Sequence, residues 1–102
     1  TGSVAIGYEA EARDGYGCVA LNQSTANGIC QTTIGQYNVV DNDQKYYLIV
    51  GKGSDSSNRE NAFAVRKTGE AECFAGIILH SPNGTLYKIT VDDSGTLTTA
   101  AV

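Results

Sequence analysis

Tyrosines are the residues of this chain best suited to hold a ligand. A tyrosine ring is apolar across its face and polar at its tip, so it stacks on sugars and also anchors protein interfaces. Tyr8 and Tyr16 lie in the stretches that separate short apolar runs, where exposure is expected, and Tyr37 follows the third run. These three residues are the predicted ligand contacts. Half-buried packing within strands and contact between identical chains stay open as their other roles.

The chain is poorly equipped for catalysis. Its single histidine, His80, stands just before a Ser-Pro-Asn-Gly turn. A hydrolase pairs a nucleophile with histidine and a carboxylate, or sets two carboxylates across a cleft. The pair Asp92 and Asp93 belongs to an Asp-Asp-Ser-Gly sequence, which is ordinary hairpin-turn chemistry. We therefore expect no enzymatic activity and no catalytic residue.

Metal and cofactor sites are not expected within one chain. Asp41-Asn42-Asp43 begins like a calcium-binding loop, but Lys45 occupies the place of the third oxygen ligand and no glycine follows it. Gly51-Lys52-Gly53-Ser54 has the composition of a phosphate-binding loop without its spacing. An ion on the axis of a symmetric assembly stays open, with His80 as the first candidate ligand.

The three cysteines match no zinc-binding pattern. Zinc ligands come in pairs two to four residues apart, unlike Cys18, Cys30 and Cys73. We interpret all three as small, partly buried apolar side chains. A disulfide within the chain or between chains is the alternative.

Charge and hydropathy exclude two classes of partner. The net charge is -4, whereas nucleic-acid binding needs clustered Lys and Arg. No run approaches the ~20 apolar residues of a membrane span. We expect neither nucleic-acid binding nor membrane insertion. The chain begins inside its first repeat, so we also expect it to be a fragment of a longer protein.

A repeated sequence motif must position the candidate tyrosines. Its copies alternate small and large apolar residues and close with Gly or Asn: Ser3-Val4-Ala5-Ile6-Gly7, Cys18-Val19-Ala20-Leu21-Asn22 and Thr32-Thr33-Ile34-Gly35. Such a short period is about one strand and one turn, so copies must stack to bury their apolar faces. Residues 1–38 are predicted to form a β-roll-like region, with Val19 and Leu21 on one face and Ala20 on the other. Asn22 is tolerated in a left-handed turn, and Thr33 in place of Ala indicates that the roll ends near residue 38.

The remainder, residues 39–102, is predicted to be rich in β-hairpins. The run 46–51 has the length and composition of a strand buried on both faces. Turn sequences at 68–70, 81–84 and 92–95 separate further runs, and residues 77–99 have the pattern of a three-stranded meander. The Glu/Ala/Arg stretch at 9–15 allows one helical turn, which is marginal alone. The predicted fold class is all-β.

Large apolar residues are too few for a monomer. The chain of 102 residues has two Phe, no Met and no Trp, and much of its 41% hydrophobic share is Ala and other small residues. A domain of this length normally buries about two-thirds of its unfolded surface. Contacts between identical chains would supply the missing burial.

The same residues resemble two groups of fibrous proteins. Ser3-Val4-Ala5-Ile6-Gly7 is similar to the repeated motif in the heads of trimeric autotransporter adhesins, which implies a left-handed parallel β-roll with three chains side by side. Residues 47–65 and 81–97 resemble the distal part of bacteriophage tail fibres and receptor-binding proteins, where head-type repeats often come just before. The resemblance implies a homotrimeric, non-enzymatic virion component near the host-contacting end.

These observations predict an elongated homotrimeric fibre segment, with a β-roll-like repeat region at 1–38 and a hairpin and meander region at 39–102. Its predicted role is structural and host-recognising: a phage tail-fibre segment that binds a bacterial cell-surface receptor, carbohydrate being one candidate, through three equivalent weak sites. Two alternatives stay open. One is a head fragment of a trimeric adhesin on a bacterial surface, and the other is a monomeric carbohydrate-binding accessory domain.

Overall fold

The computed structural model of the chain describes residues 2–13 and 16–102. These residues form β-strands and contain no helix, which confirms the all-β prediction. The strands are β1 Val4–Ile6, β2 Glu11–Ala12, β3 Val19–Leu21, β4 Thr25–Ala26, β5 Thr32–Gln36, β6 Tyr46–Lys52, β7 Asn61–Arg66, β8 Ala71–Cys73, β9 Ile77–His80, β10 Leu86–Val91 and β11 Leu97–Ala101. The chain divides into two compact units, unit 1 (Thr1–Glu72) and unit 2 (Cys73–Val102).

Unit 1 is a β-solenoid-like arrangement of about 3 turns. Strands β1, β3 and β5 pair in parallel, so that each repeat places one rung in a six-stranded sheet of order β1-β3-β5-β6-β7-β8. Strands β2 and β4 pair in parallel as a second, two-stranded sheet. The predicted division at residue 38 falls inside this unit, where β5 and β6 pair across it in parallel.

The residues that close each repeat adopt the left-handed backbone conformation that ends a rung. Their φ angles are +122° at Gly7, +62° at Asn22 and +84° at Gly35, so the predicted tolerance of Asn at position 22 is confirmed. Gly35 also needs its missing side chain, since a Cβ there would stand 2.4 Å from the carbonyl oxygen of Gly51. Gly35 is therefore needed both for its positive φ and for the close approach of the next strand.

Small side chains fill the inside of the roll. Cys18, Ala20 and Ala26 are buried in one cluster. Beside them, the hydroxyl groups of Ser24 and Thr33 form a buried hydrogen bond of 2.8 Å. Because these groups are small, the two sheets approach closely. The predicted assignment of Ala20 to the opposite face from Val19 and Leu21 is confirmed.

A second buried cluster lies where the sheet turns antiparallel. Ile49 and Ala64 pair across β6 and β7 and are fully buried, and Tyr46, which is nearly so, belongs to the same cluster. The prediction that the 46–51 strand is buried on both faces is wrong for the single chain, because Tyr47 is exposed and Leu48 and Val50 are only partly covered. Its two neighbouring strands cover its edges, and the interior of unit 1 covers only one of its faces.

At the free edge of the two-stranded sheet, called the small sheet below, side-chain amides form the hydrogen bonds that a further strand would form. Asn38 is fully buried. Its Oδ1 accepts the Thr25 N–H at 2.8 Å, and its Nδ2 donates to the Thr25 carbonyl at 3.0 Å. Gln44 does the same one turn away, where it accepts the Ile29 N–H at 2.8 Å and donates to the Asn27 carbonyl at 3.1 Å. Backbone groups that a further rung would pair are thus satisfied.

Asp41 is buried and holds the backbone of its turn. Its oxygens accept the N–H groups of Lys45 at 3.0 Å and Tyr46 at 2.8 Å. The buried Gln31 amide donates to the same carboxylate at 2.8 Å. The Asp41-Asn42-Asp43 sequence therefore builds a tight polar turn into β6.

Two local predictions are corrected by the structure. Glu11 and Ala12 form strand β2 instead of a helical turn, because β4 pairs with them; residues 14 and 15 of that stretch lie outside the described residues. Cys18 is buried and its Sγ donates to the Gly28 carbonyl at 2.9 Å, but Cys30 and Cys73 are exposed, so partial burial is wrong for both. Cys30 occupies a turn with φ +58°, and all three are free thiols.

Unit 2 is the predicted meander. Strand β10 pairs antiparallel with β9 on one side and with β11 on the other. The Gly84 N–H donates to Ser81 at 2.9 Å, and the Gly95 N–H donates to Asp92 at 3.0 Å, which closes both predicted turns. The meander prediction is confirmed. Across the described ranges of the chain, the structure contains no helix long and apolar enough to cross a membrane.

A three-residue cluster links the last strands of unit 1. The Tyr46 hydroxyl donates to Glu72 Oε1 at 2.8 Å, and Arg66 donates to Glu72 Oε2. The bond from Arg66, followed by the bond from Tyr46, lowers the pKa of Glu72 below its usual value of 4.5. Burial, and then the bond to Glu72, raises the pKa of Tyr46.

This cluster predicts a step in acid stability. Since the pKa of Glu72 is lowered in the folded state, its charge stabilises the fold above its usual value of 4.5, and that contribution is lost as pH falls through the folded-state pKa. Glu72→Gln is expected to reduce the difference in unfolding free energy between about pH 7 and about pH 3, measured by denaturant titration. Glu60→Gln is the control, because Glu60 is exposed and pairs with Lys52 at 3.5 Å. An equal reduction in both variants would contradict the assignment.

Candidate functional site

Unit 1 presents an apolar face to its exterior, called the outer face below. It belongs to the six-stranded sheet and consists of Val4, Ile6, Val19, Leu21, Ile34, Leu48, Val50, Phe63 and Val65. Val4 pairs with Val19, Ile6 with Leu21, and Val50 with both Ile34 and Phe63, so the side chains form columns across the strands. Ile6 is 62% exposed. No described strand of unit 1 packs over this face.

Unit 2 presents a second apolar face, called the meander face below. Alternation along its strands places on one side Ile77, Leu79, Tyr87, Ile89, Val91 and Leu97. The other side carries Ile78, His80, Leu86, Lys88, Thr90, Thr98 and Ala100. A shallow cavity of about 410 Å³ lies where the meander face meets the end of β9, and it is lined by Leu79, His80, Ser81, Tyr87, Ile89 and Thr99. No residue of unit 2 is buried, so this sheet has no interior of its own.

The structure brings together two of the three predicted ligand-contact tyrosines. Tyr8 follows β1 and Tyr37 follows β5, so both lie where the parallel strands end. Tyr16 precedes β3 and therefore lies at the opposite edge of the sheet. Tyr8 is 75% exposed and Tyr16 is 66% exposed, whereas Tyr37 is partly covered.

Tyr37 is the centre of a polar network with Glu9, Gln23 and Arg59, and these residues together with the nearby Tyr8 are called the loop edge below. The Tyr37 hydroxyl donates to Glu9 Oε1 at 3.0 Å and accepts from Gln23 Nε2 at 3.2 Å. Its backbone N–H donates to the Gln23 carbonyl at 2.6 Å. The Arg59 guanidinium lies 5.8 Å from the centre of its ring. Three successive turns and a hairpin thus contribute to one network.

Backbone and charge both mark Tyr37 as an unusual position. Its φ of +43° is uncommon for a bulky residue and persists only where surrounding contacts hold it. Partial burial raises the pKa of the Tyr37 phenol, and the hydrogen bond to Glu9 raises it further, with the charge of Asp55 adding to both. The phenol therefore stays protonated near neutral pH and keeps donating to Glu9.

Sequence reasoning missed Glu9, Gln23 and Arg59. A signal existed for the first two, since both follow the closing residue of a repeat by one or two positions, and such positions stack at one edge of a parallel roll. Arg59 gave no such signal, because it lies on the hairpin between β6 and β7. Its Nη1 donates to the Asn38 carbonyl at 3.1 Å, a contact that only the folded chain creates.

Asp92 and His80, which were considered above for catalysis and metal binding, lie in a turn and at a strand end. Asp92 Oδ1 accepts the N–H groups of Ser94 and Thr96, each at 2.9 Å, and the Ser94 hydroxyl at 2.7 Å. The hydroxyl bond from Ser94, foremost among these, lowers the pKa of Asp92. His80 is exposed at the end of β9. In the described part of the chain, no three His, Cys, Asp or Glu residues converge to hold a metal ion.

The loop edge combines an exposed aromatic ring, a carboxylate, an amide and a guanidinium, which suits reversible binding of a polar ligand. The outer face and the meander face suit association with other polypeptide. No protein-family model, no curated protein and no solved structure matches this chain.

Proposed function

We propose that this chain is a homotrimeric segment of a bacteriophage tail fibre, or of a related phage-tail-like device, with a structural and host-recognising role in the virion. One observation supports the proposal above all others. In the single chain, no strand of the same described unit covers either apolar face: Val4 and Ile6 of the outer face are exposed and its other members half-buried, and most of the meander face is exposed. The apolar side chains of these two faces point away from the interior of the single chain.

Unit 2 makes the need for partners most acute. An apolar sheet face left in water lacks the hydrophobic stabilisation that its burial would give, and a contiguous exposed apolar patch marks an interaction site. Five members of the meander face are exposed, from Tyr87 at 41% to Leu97 at 73%. Fully burying a large aliphatic side chain contributes roughly 1.5–3 kcal/mol, and covering one that is half exposed contributes about half of that. Equivalent faces from neighbouring copies provide this cover without any further protein.

The arrangement of the outer face favours a cyclic assembly. Its columns run from strand to strand, which is the direction in which the rungs stack. Copies placed side by side around an axis parallel to that direction bury the whole face in every copy. The number three comes from the resemblance of the repeated sequence motif to the heads of trimeric adhesins. A bacterial adhesin head, the alternative, shares this assembly and differs in the protein to which it is joined.

Host recognition is assigned to surfaces that trimer formation leaves open. The loop edge lies at the ends of the strands, away from the columns of the outer face, and is present once per chain. Three equivalent weak sites raise avidity without any tight single contact. The partner is a bacterial cell-surface receptor, and the net charge of -4 argues against nucleic acid.

The mass of the chain in solution tests the assembly. Light scattering is expected to give three times the chain mass of 10.7 kDa, with an unfolding midpoint that rises with protein concentration because folding and association are coupled. A species of 10.7 kDa that melts cooperatively and is unaffected by dilution would overturn the proposal and favour a monomeric accessory domain. Binding of the assembled chain to intact candidate host cells then tests recognition.

A further inference from the structure

We propose that the loop edge of unit 1 binds a neutral pyranose unit of a surface glycan, with Tyr8 as the stacking platform and Glu9 as the acceptor for sugar hydroxyl groups. This inference rests on the proposed function, since it names the chemical class of the receptor.

Tyr8 provides the apolar half of the site. Its side chain is 75% exposed on the turn after β1, immediately beside Glu9. One side of a pyranose ring carries C–H groups, which pack on the face of an aromatic ring while the hydroxyl groups remain at the ring edge. A tyrosine fixed in a tight turn offers such a face at low entropic cost. Gly7, with φ +122°, creates that turn.

Glu9 provides the polar half. Its Oε1 accepts the Tyr37 hydroxyl at 3.0 Å. An ionised carboxylate has about four acceptor positions, so Glu9 retains capacity for further donors. Vicinal sugar hydroxyls are such donors, and hydrogen bonds to a charged acceptor are stronger than neutral ones. A sugar stacked on Tyr8 would place its edge beside the adjacent residue, Glu9.

Tyr37, Gln23 and Arg59 hold the acceptor in place. The Tyr37 hydroxyl stands between Glu9 at 3.0 Å and Gln23 at 3.2 Å, and Arg59 covers its ring at 5.8 Å. Tyr37 is thereby a positioning residue that acts through Glu9. A carboxylate already oriented by the protein loses less conformational entropy on binding than a mobile one.

The charges near the site favour a neutral sugar over an acidic one. Glu9 and Asp55 both lie close enough to Tyr37 to raise the pKa of its phenol. The cation of the loop edge, Arg59, already donates to the Asn38 carbonyl at 3.1 Å. The two negative charges outnumber the single positive charge of Arg59, so an added carboxylate or phosphate on the ligand would face a net negative charge, which disfavours acidic glycans.

Saturation-transfer NMR on the whole chain tests the site with small probes. The probes are methyl glycosides of glucose, galactose, mannose and N-acetylglucosamine, with methyl glucuronide as the acidic comparison. We expect transfer to at least one neutral glycoside, weakened at least about tenfold in Tyr8→Ala and also weakened in Glu9→Gln. Tyr16→Ala is the matched control, because Tyr16 is similarly exposed at the opposite edge, and it should leave transfer unchanged.

Three outcomes would overturn the inference: no transfer to any neutral glycoside, transfer that Tyr8→Ala leaves intact, or transfer only to methyl glucuronide. Light scattering on the same samples separates this failure from failure of the proposed function. A trimer without Tyr8-dependent transfer overturns the glycan site alone. A monomer with Tyr8-dependent transfer overturns the trimer and supports the site.

Discussion

Leu79→Asp is expected to unfold the meander of unit 2, whereas Ile78→Asp should leave it intact. The two residues are neighbours on β9 and are equally exposed in the single chain, at 52% and 51%. They differ only in direction, because Leu79 belongs to the meander face and Ile78 lies on the side that carries Lys88. If the meander face packs on identical copies, only the first substitution buries an unpaired carboxylate, at a cost of several kcal/mol.

Amide hydrogen exchange is the measurement that resolves this difference. Strand β10 lies in the middle of the meander, so its amide groups report on the whole sheet. In Leu79→Asp their protection should fall at least about hundredfold, a change of two decades in the opening equilibrium. In Ile78→Asp it should stay within about threefold. Equal behaviour of the two variants would contradict burial of the meander face against other copies.

Asn38→Ala is expected to lower the unfolding free energy of unit 1 by about 2–5 kcal/mol, because it leaves two buried backbone groups of Thr25 unpaired. The native amide satisfies the Thr25 N–H at 2.8 Å and the Thr25 carbonyl at 3.0 Å, from a position that is fully buried. Denaturant unfolding at a fixed protein concentration measures the loss.

Two further variants isolate the cause. Asn38→Asp preserves size and the acceptor for the Thr25 N–H but sets an oxygen against the Thr25 carbonyl, so it should be at least as destabilising as alanine. Asn42→Ala removes an exposed asparagine whose Oδ1 accepts a single hydrogen bond of 3.1 Å from Asn27, and it should cost less than about 1 kcal/mol. A loss below about 1 kcal/mol in Asn38→Ala would contradict the role of its amide in ending the small sheet.

Several elements of the fold could be predicted from the sequence because their causes are local. A strand alternates its side chains with a period of two, so Val19 and Leu21 were separable from Ala20 without any structure. Turns depend on which residues tolerate positive φ, and Asn22, Gly84 and Gly95 all have it. The meander of unit 2 follows from these two rules alone.

The loop edge shows where local rules end. Tyr8, Tyr16 and Tyr37 were indistinguishable as candidates, yet folding joins Tyr37 to Glu9, 28 residues away, and leaves Tyr16 at the other edge. Contact in a solenoid depends on which rung stacks beside which. The strands pair repeat to repeat, Val4 with Val19 and Val19 with Thr32, but the loops that follow them do not alternate, so alternation does not locate the loop side chains.

The sequence by itself determined the all-β class, the two faces of each rung and the positions of the turns, since backbone preference and side-chain alternation act between close neighbours. Only the tertiary structure decided which surfaces remain uncovered and how the small sheet ends. The 46–51 strand has the composition of a doubly buried strand but one open face, and Asn38 looked like any polar turn residue until Thr25 was placed beside it. Burial and hydrogen-bond pairing are properties of distant segments brought together, and no local pattern encodes them.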